Sequence, residues 1–148
     1  MKNILVLDDN KYILDALSAN LCYYLGECNI MTAIDGAKGA EVLNTVPVDL
    51  ILTDLDMPVA KGYAFIEHAK KNHPGVPVCV MTGDCSAAVR EKLAALGVTR
   101  YIEKPFHYDE LVSMITEGLN LRTAQQSEPG QALAANPQGA GFKPAPTV

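Results

Sequence analysis

Five short apolar runs recur along this chain. Each is closed by a polar or turn-forming residue and followed by a stretch with helical spacing. The runs are Ile4 to Leu7, Asn29 to Ile34, Asp49 to Thr53, Pro77 to Met81, and the short Arg100-Tyr101-Ile102. After the first, Asp8-Asp9-Asn10 can cap a helix that carries Ile13, Leu14, Leu17, Leu21 and Leu25 and stops at Gly26. After the second, Asp35-Gly36 leads into a helix with Ala40, Val42 and Leu43, which lasts until Pro47. The third run is apolar through its centre, as expected of a strand covered on both faces. A loop from Asp54 to Lys61 follows, with Met57-Pro58 as a rigid turn. Gly62 then opens a helix with Phe65, Ile66 and Ala69 on one side, ended by His73-Pro74-Gly75. The fourth helix, after Thr82-Gly83-Asp84, carries Val89, Leu93 and Leu96 and ends at Gly97. The fifth carries Leu111, Val112, Met114, Ile115 and Leu119. Strand and helix alternating five times predict an α/β fold: a parallel sheet with helices on both faces. Hydrophobic residues make up 49% of the chain and aromatics 6%, with no Trp, so the core is aliphatic.

In such a sheet ligands bind beyond the carboxyl ends of the strands. Asp8 and Asp9, Asp54, Thr82 and Lys104 all fall at those ends, so four strands aim a polar side chain at one place. Crowded carboxylates raise one another's pKa unless a cation joins them. Oxygen donors in this number suit Mg²⁺, which keeps waters and recruits a phosphate oxygen. Lys104 offers a point charge to a second phosphate oxygen and Thr82 a hydroxyl to a third. A carboxylate, a metal, a hydroxyl and an ammonium around one point make a phosphoryl-transfer site, where catalysis is mostly positioning and charge neutralisation.

Taken singly, each element has a plainer reading. An acidic pair after a strand usually only caps a helix, and Thr82 or Asp84 could cap the fourth helix. Together and in order, the segments ILVLDDN, LILTDLDMP, VCVMTGD and YIEKPF resemble the response-regulator receiver family over residues 2 to about 121. The resemblance implies a doubly wound (βα)5 fold of the CheY-like, flavodoxin-like type with strand order 2-1-3-4-5. It implies Asp54 as phosphoacceptor, and Asp9 and Asp8 as Mg²⁺ ligands, Asp8 through water or by positioning the ion. Asp54 and the backbone carbonyl of Asp56 complete the ligands, and Mn²⁺ can substitute. Thr82 and Lys104 would hold the phosphoryl oxygens, with Thr82 and Tyr101 as the switch pair and Lys104-Pro105 in cis. Tyr101 as a static aromatic is the plain alternative. The face of the fourth helix, fifth strand and fifth helix would meet a downstream partner or form a homodimer, with small Ala87 and Ala88 leaving room for Tyr101 to move. Asp56 and Asp84 are expected to tune phosphate lifetime, an acid there either repelling the phosphoryl group or orienting the attacking water.

The donor implied is a sensor histidine kinase or a histidine phosphotransfer protein. One class of alternative is an enzyme, because Asp54-Leu55-Asp56 resembles the D-x-D of haloacid-dehalogenase phosphatases. Those carry D-x-D on the first strand and their acidic pair last, the reverse of the order here. Another is a receiver-like interaction module independent of phosphorylation, although such modules usually lack a residue that is present here. The activity expected is only self-phosphorylation from a phosphodonor and autodephosphorylation.

A formal net charge of −5 and the lack of any basic run argue against nucleic-acid binding. Cys22, Cys28, Cys79 and Cys85 form no C-x-x-C pair and read as reduced thiols of a cytoplasmic protein. The first apolar run is too short for a signal peptide or membrane span. His68, His73 and His107 look like surface residues without chemistry. Residues 1–121 are expected to form the receiver domain, and 122–148, rich in Ala, Gln, Pro and Gly, a flexible tail or truncated linker. No effector motif follows, so the chain is either a stand-alone receiver or the start of a longer regulator.

Overall fold

The computed structural model describes residues 1–57 and 62–126, and of residues 121–126 the backbone alone. The elements are β1 (Lys2–Leu7), α1 (Lys11–Leu25), β2 (Cys28–Ala33), α2 (Gly36–Thr45), β3 (Leu50–Asp54), α3 (Tyr63–Asn72), β4 (Val78–Thr82), α4 (Ala87–Ala95), β5 (Arg100–Glu103) and α5 (Tyr108–Gln126). All strands are parallel, in the order β2-β1-β3-β4-β5, the doubly wound arrangement the resemblance implies. Pro58 of the expected rigid turn, the loop through Lys61, and the expected tail past Gln126 lie outside the described residues.

Side chains alternate across a strand with period two, so each run feeds both faces of the sheet. Leu5, Leu7, Ile51, Val78 and Val80 point to one face, where Leu43, Phe65, Ile66 and Leu93 of α2, α3 and α4 cover them. Ile4, Val6, Leu50, Leu52, Cys79 and Met81 point to the other, under Leu14, Leu17 and Leu21 of α1 and Leu111 and Ile115 of α5. The central strands β3 and β4 are buried along their whole length, which is why their sequences show no polar alternation. The edge strands β2 and β5 are partly exposed. Among the described residues no helix is long and apolar enough to cross a membrane.

Three boundaries differ from the sequence reading. Asp54 is the last residue of β3 rather than the first of a loop, because the ladder continues with Asp54 opposite Met81 and Leu55 N–H donating to the Met81 carbonyl (2.8 Å). Neither Thr82 nor Asp84 caps α4. Ser86 does, its hydroxyl accepting from Val89 N–H (3.4 Å). Thr82, Asp84 and Ser86, at alternate positions, are all cap-forming types, so composition does not choose among them. Helix α5 continues to Gln126, past the last apolar residue of its period. Residues 121–126 include Leu, Arg, Ala and Gln and no Gly or Pro, a composition compatible with helix.

Candidate functional site

The carboxyl ends of β1 and β3 carry three acids. Asp8 directly follows β1, its N–H donating to the Ala33 carbonyl of β2 (3.1 Å). Its side chain is therefore almost fully buried, at 1% exposure. Asp8 Oδ1 accepts from Asn10 N–H (2.9 Å), while the buried Oδ2 has no partner among the described residues. Asn10, one residue on, caps α1 by accepting from Tyr12 and Ile13 N–H. Asp9 is exposed, and a carboxylate oxygen from each of Asp8, Asp9 and Asp54 lies within 4.8 Å of the others. Burial, joined by the charges of Asp54 and Asp9, pushes Asp8 up to about 6 against the lowering effect of the Asn10 N–H. An orphaned, buried carboxylate oxygen beside two further carboxylates is the donor set a hard divalent cation takes.

Asp54 is itself buried, at 4% exposure. Its Oδ1 accepts from Lys104 Nζ (2.7 Å) and from Asp56 N–H (3.0 Å). Lys104 follows β5 and is held there by its N–H donating to the Thr82 carbonyl (2.8 Å). The Lys104–Pro105 peptide is cis, as the resemblance implies. Burial alone would lower the Lys104 pKa, but the carboxylates of Asp54, Asp56 and Asp8 outweigh it and hold it above its ordinary value.

The carboxyl ends of β4 and β5 carry donors. Thr82, fully buried, donates its hydroxyl to Asp56 Oδ1 (2.9 Å). Gly83 N–H donates to Asp56 Oδ2 (2.6 Å), and Lys104 Nζ stands 3.4 Å from the same oxygen. Burial would raise the Asp56 carboxyl, but Gly83, Thr82 and Lys104 together hold it below the usual carboxylate range.

The structure thus brings together Asp8, Asp9, Asp54, Asp56, Thr82 and Lys104. It does not bring in Asp84, whose carboxylate accepts from Ser86 N–H within its own loop (3.0 Å). Tyr101 is 36% exposed and edges a shallow groove with Arg100, Ile102, Ser113, Met114 and Glu117. Of the histidines read as surface residues, His107 is exposed. His68 and His73 are half-buried, their rings 6.3 Å apart and His73 Nε2 3.3 Å from Asn44 Oδ1 across to α2. Helix packing on that face covers them partway. The four cysteines are free thiols, and burial pushes Cys79 up to about 12.

Two contributors escaped the sequence reading. Gly83 is a backbone donor, and no side-chain pattern reports a backbone N–H. Gly62 caps α3 with φ +77, and a Cβ there would lie 2.9 Å from the Asp54 carbonyl. Only glycine permits both that backbone and that approach. Its position just after the acceptor loop was the available signal.

Comparison with known proteins identifies the family. A sequence profile described as the response regulator receiver domain matches residues 4–116. The transcriptional regulatory protein PrrA of Mycobacterium leprae is 31% identical over 134 residues, 90% of this chain and 57% of its own length. The hybrid signal transduction histidine kinase D of Dictyostelium discoideum is 30% identical over 139 residues, 90% of this chain and 8% of its own. The chain therefore spans only part of these curated relatives. Among solved structures, a CheY-like response regulator receiver domain protein from Methanospirillum hungatei aligns with TM-score 0.77 at 26% identity, covering 84% of this chain and 98% of that one. The response regulator TrrA from Thermotoga maritima, solved in complex with Mg²⁺-BeF, aligns with TM-score 0.69 at 26% identity, covering 79% and 98%.

Proposed function

The chain belongs to the response regulator receiver domain family, and from that premise we propose that it is a signalling switch driven by phosphorylation of Asp54. The observation that carries this reading is the 2.7 Å contact between Lys104 Nζ and Asp54, set beside the Asp8–Asp9–Asp54 cluster. The donor is a phosphohistidine of a sensor kinase or of a phosphotransfer protein. An Asp54 carboxylate oxygen forms the new bond to phosphorus as the P–N bond breaks, and the electron pair leaves with the imidazole. Lys104 and the Thr82 hydroxyl hold phosphoryl oxygens in line for that transfer. Asp8, Asp9, Asp54 and the backbone carbonyl of Asp56 would hold Mg²⁺, or Mn²⁺ in its place. When bound, the ion neutralises the charge carried by the phosphoryl oxygens. The orphaned Asp8 Oδ2 supports that donor set. Loss of the signal is hydrolysis. A water oxygen attacks phosphorus, the Asp54–phosphorus bond breaks and inorganic phosphate leaves. Asp56 tunes that lifetime from within the site, and Asp84 through its backbone bond to Thr82.

The output is a population shift. Thr82 moves toward the phosphoryl group and Tyr101 turns from its half-exposed position into the space beside α4, where Ala87 and Ala88 are small. The face of α4, β5 and α5 then changes for a protein target or a second copy of the chain. The setting is cytoplasmic, residues 1–121 form the receiver unit, and 122–148 serve as a linker or tail. The phosphatase alternative finds no support in the strand order, since the acidic pair follows β1 and D-x-D begins at the end of β3.

The test is an intact-mass measurement after incubation with Mg²⁺ and acetyl phosphate. Wild type gains one phosphoryl group, the gain disappears with a chelator, and Asp54→Asn gains none. Equal gain on both proteins would place the acceptor elsewhere.

A further inference from the structure

The three donors that would receive phosphoryl oxygens already have an anion between them. Asp56 Oδ1 takes the Thr82 hydroxyl at 2.9 Å. Its Oδ2 takes the Gly83 N–H at 2.6 Å and faces Lys104 Nζ at 3.4 Å. These contacts come from the last residue of β4, the residue after it and the residue after β5, and they converge on a single carboxylate. That carboxylate is tethered two residues after Asp54 through its own N–H, which donates to Asp54 Oδ1 (3.0 Å). We propose that the Asp56 carboxylate is a resident anion in the subsite for the phosphoryl oxygens, and that phosphorylation of Asp54 requires this side chain to withdraw. The inference rests on the switch reading above and assigns Asp56 as a positioning residue within it.

Three consequences follow from the geometry. First, a phosphoryl group and the Asp56 carboxylate cannot share the same donors, because two anions in one donor set repel. Asp56 therefore lowers the affinity of the resting site for phosphate-like anions. Second, Asp56 ties Thr82 down. The Thr82 hydroxyl also accepts from Asp84 N–H (3.0 Å), so the start of the β4–α4 loop is pinned through one oxygen to the residue after next from the acceptor. Withdrawal of Asp56 releases the hydroxyl that has to move, which biases the unphosphorylated chain to its resting form. Third, the withdrawal has somewhere to go. The Asp56 side chain is 34% exposed, and rotation about its own bonds carries the carboxylate to solvent without moving the backbone N–H that orients Asp54.

Beryllofluoride, bound with Mg²⁺ in the solved TrrA relative, is the probe. Its affinity is measured at saturating Mg²⁺ for wild type, Asp56→Ala, Asp56→Asn and Asp54→Asn. The proposal predicts that Asp56→Ala binds beryllofluoride about tenfold tighter or more, because a like charge has left the donors. Asp56→Asn, which keeps an acceptor for Thr82 but no charge, falls between the two. Asp54→Asn shows no binding. A second readout separates occupancy from mere packing. The Gly83 amide proton resonance is expected downfield in wild type, because of its short bond to a carboxylate. It moves upfield in Asp56→Ala and returns when beryllofluoride binds. Wild type that binds the probe while both Asp56 variants bind no tighter would overturn this inference and leave the switch reading standing. A Gly83 resonance unmoved by Asp56→Ala would also overturn it. No binding by wild type or either Asp56 variant would overturn the switch reading itself, and this inference with it.

Discussion

The carboxyl edge formed by β1 and β3 and the one formed by β4 and β5 carry opposite imbalances. On the first, Asp8, Asp9 and Asp54 crowd their oxygens within 4.8 Å, and one buried oxygen, Asp8 Oδ2, has no partner among the described residues. On the second, Thr82, Gly83 and Lys104 are donors, and each already has an acceptor, supplied by Asp56 or Asp54. Among the described residues the acidic edge leaves an oxygen that a cation would complete. The donor edge is already satisfied, and under the proposal above it would exchange one anion for another. Lys104 is the residue that spans both, 2.7 Å from Asp54 and 3.4 Å from Asp56. Two strand ends a single sheet spacing apart thus divide the work: one attracts a missing charge, the other holds a replaceable one.

Removing the bridge should have the largest effect. Lys104→Ala takes away the cation 2.7 Å from Asp54, and the initial rate of labelling by acetyl phosphate should fall by about 10²–10³-fold, the usual effect of losing one preorganised charge donor. A rate within a few-fold of wild type would mean the two edges work independently. Next comes Asp8→Asn. The amide keeps an acceptor for Asn10 N–H and removes the repelling charge. The metal-free protein should gain about 3 kcal/mol at pH 7, the linkage value of a carboxyl held at about 6 when folded and 3.8 when unfolded. Its thermal midpoint should rise, and added Mg²⁺ should no longer raise it further. A midpoint below wild type would show that the acidic edge is not strained.

Gly62→Ala tests the support beneath Asp54. The left-handed backbone alone costs about 1–2 kcal/mol for a residue with a Cβ, and the approach to the Asp54 carbonyl adds to it. Stability should drop by at least that amount with a slower labelling rate; an unchanged denaturant midpoint would remove Gly62 from the account. The smallest effect is that of pH. Asp8 is protonated below about pH 6 when folded but stays ionised to about 3.8 when unfolded. As pH falls from 7 toward 5, the metal-free fold gains stability from this group, while Mg²⁺ must compete with the proton. The rise in melting temperature produced by Mg²⁺ at pH 7.5 should therefore shrink at pH 5. A rise that grows on acidification would contradict the burial of Asp8.

Much of this was legible before any coordinates. Periodicity placed five strands and five helices because buried strands and amphipathic helices leave different spacings, and the strand-end rule collected Asp8, Asp9, Asp54, Thr82 and Lys104 at one edge. The order of the strands came with the family resemblance, since alternation alone leaves several orders open. What stayed hidden depends on where short side chains turn in space. Asp56 and Asp84 looked equivalent, each two residues beyond a site residue. One reaches three donors on neighbouring strands, and the other folds back onto Ser86 N–H. Thr82 and Asp84 were the caps the sequence reading offered, and loop geometry gave the role to Ser86 instead. The ladder bond from Leu55 to Met81 that keeps Asp54 in β3 is a tertiary fact, set by register between β3 and β4.

The most direct measurement of the central claim is chemical identification of the acceptor. The chain is treated with acetyl phosphate and Mg²⁺, reduced with borohydride, which converts an acyl phosphate of aspartate to homoserine, and mapped by peptide mass spectrometry. The account predicts homoserine at position 54 and unchanged aspartate at 8, 9, 56 and 84. Homoserine at position 56, or at neither 54 nor 56, would contradict it.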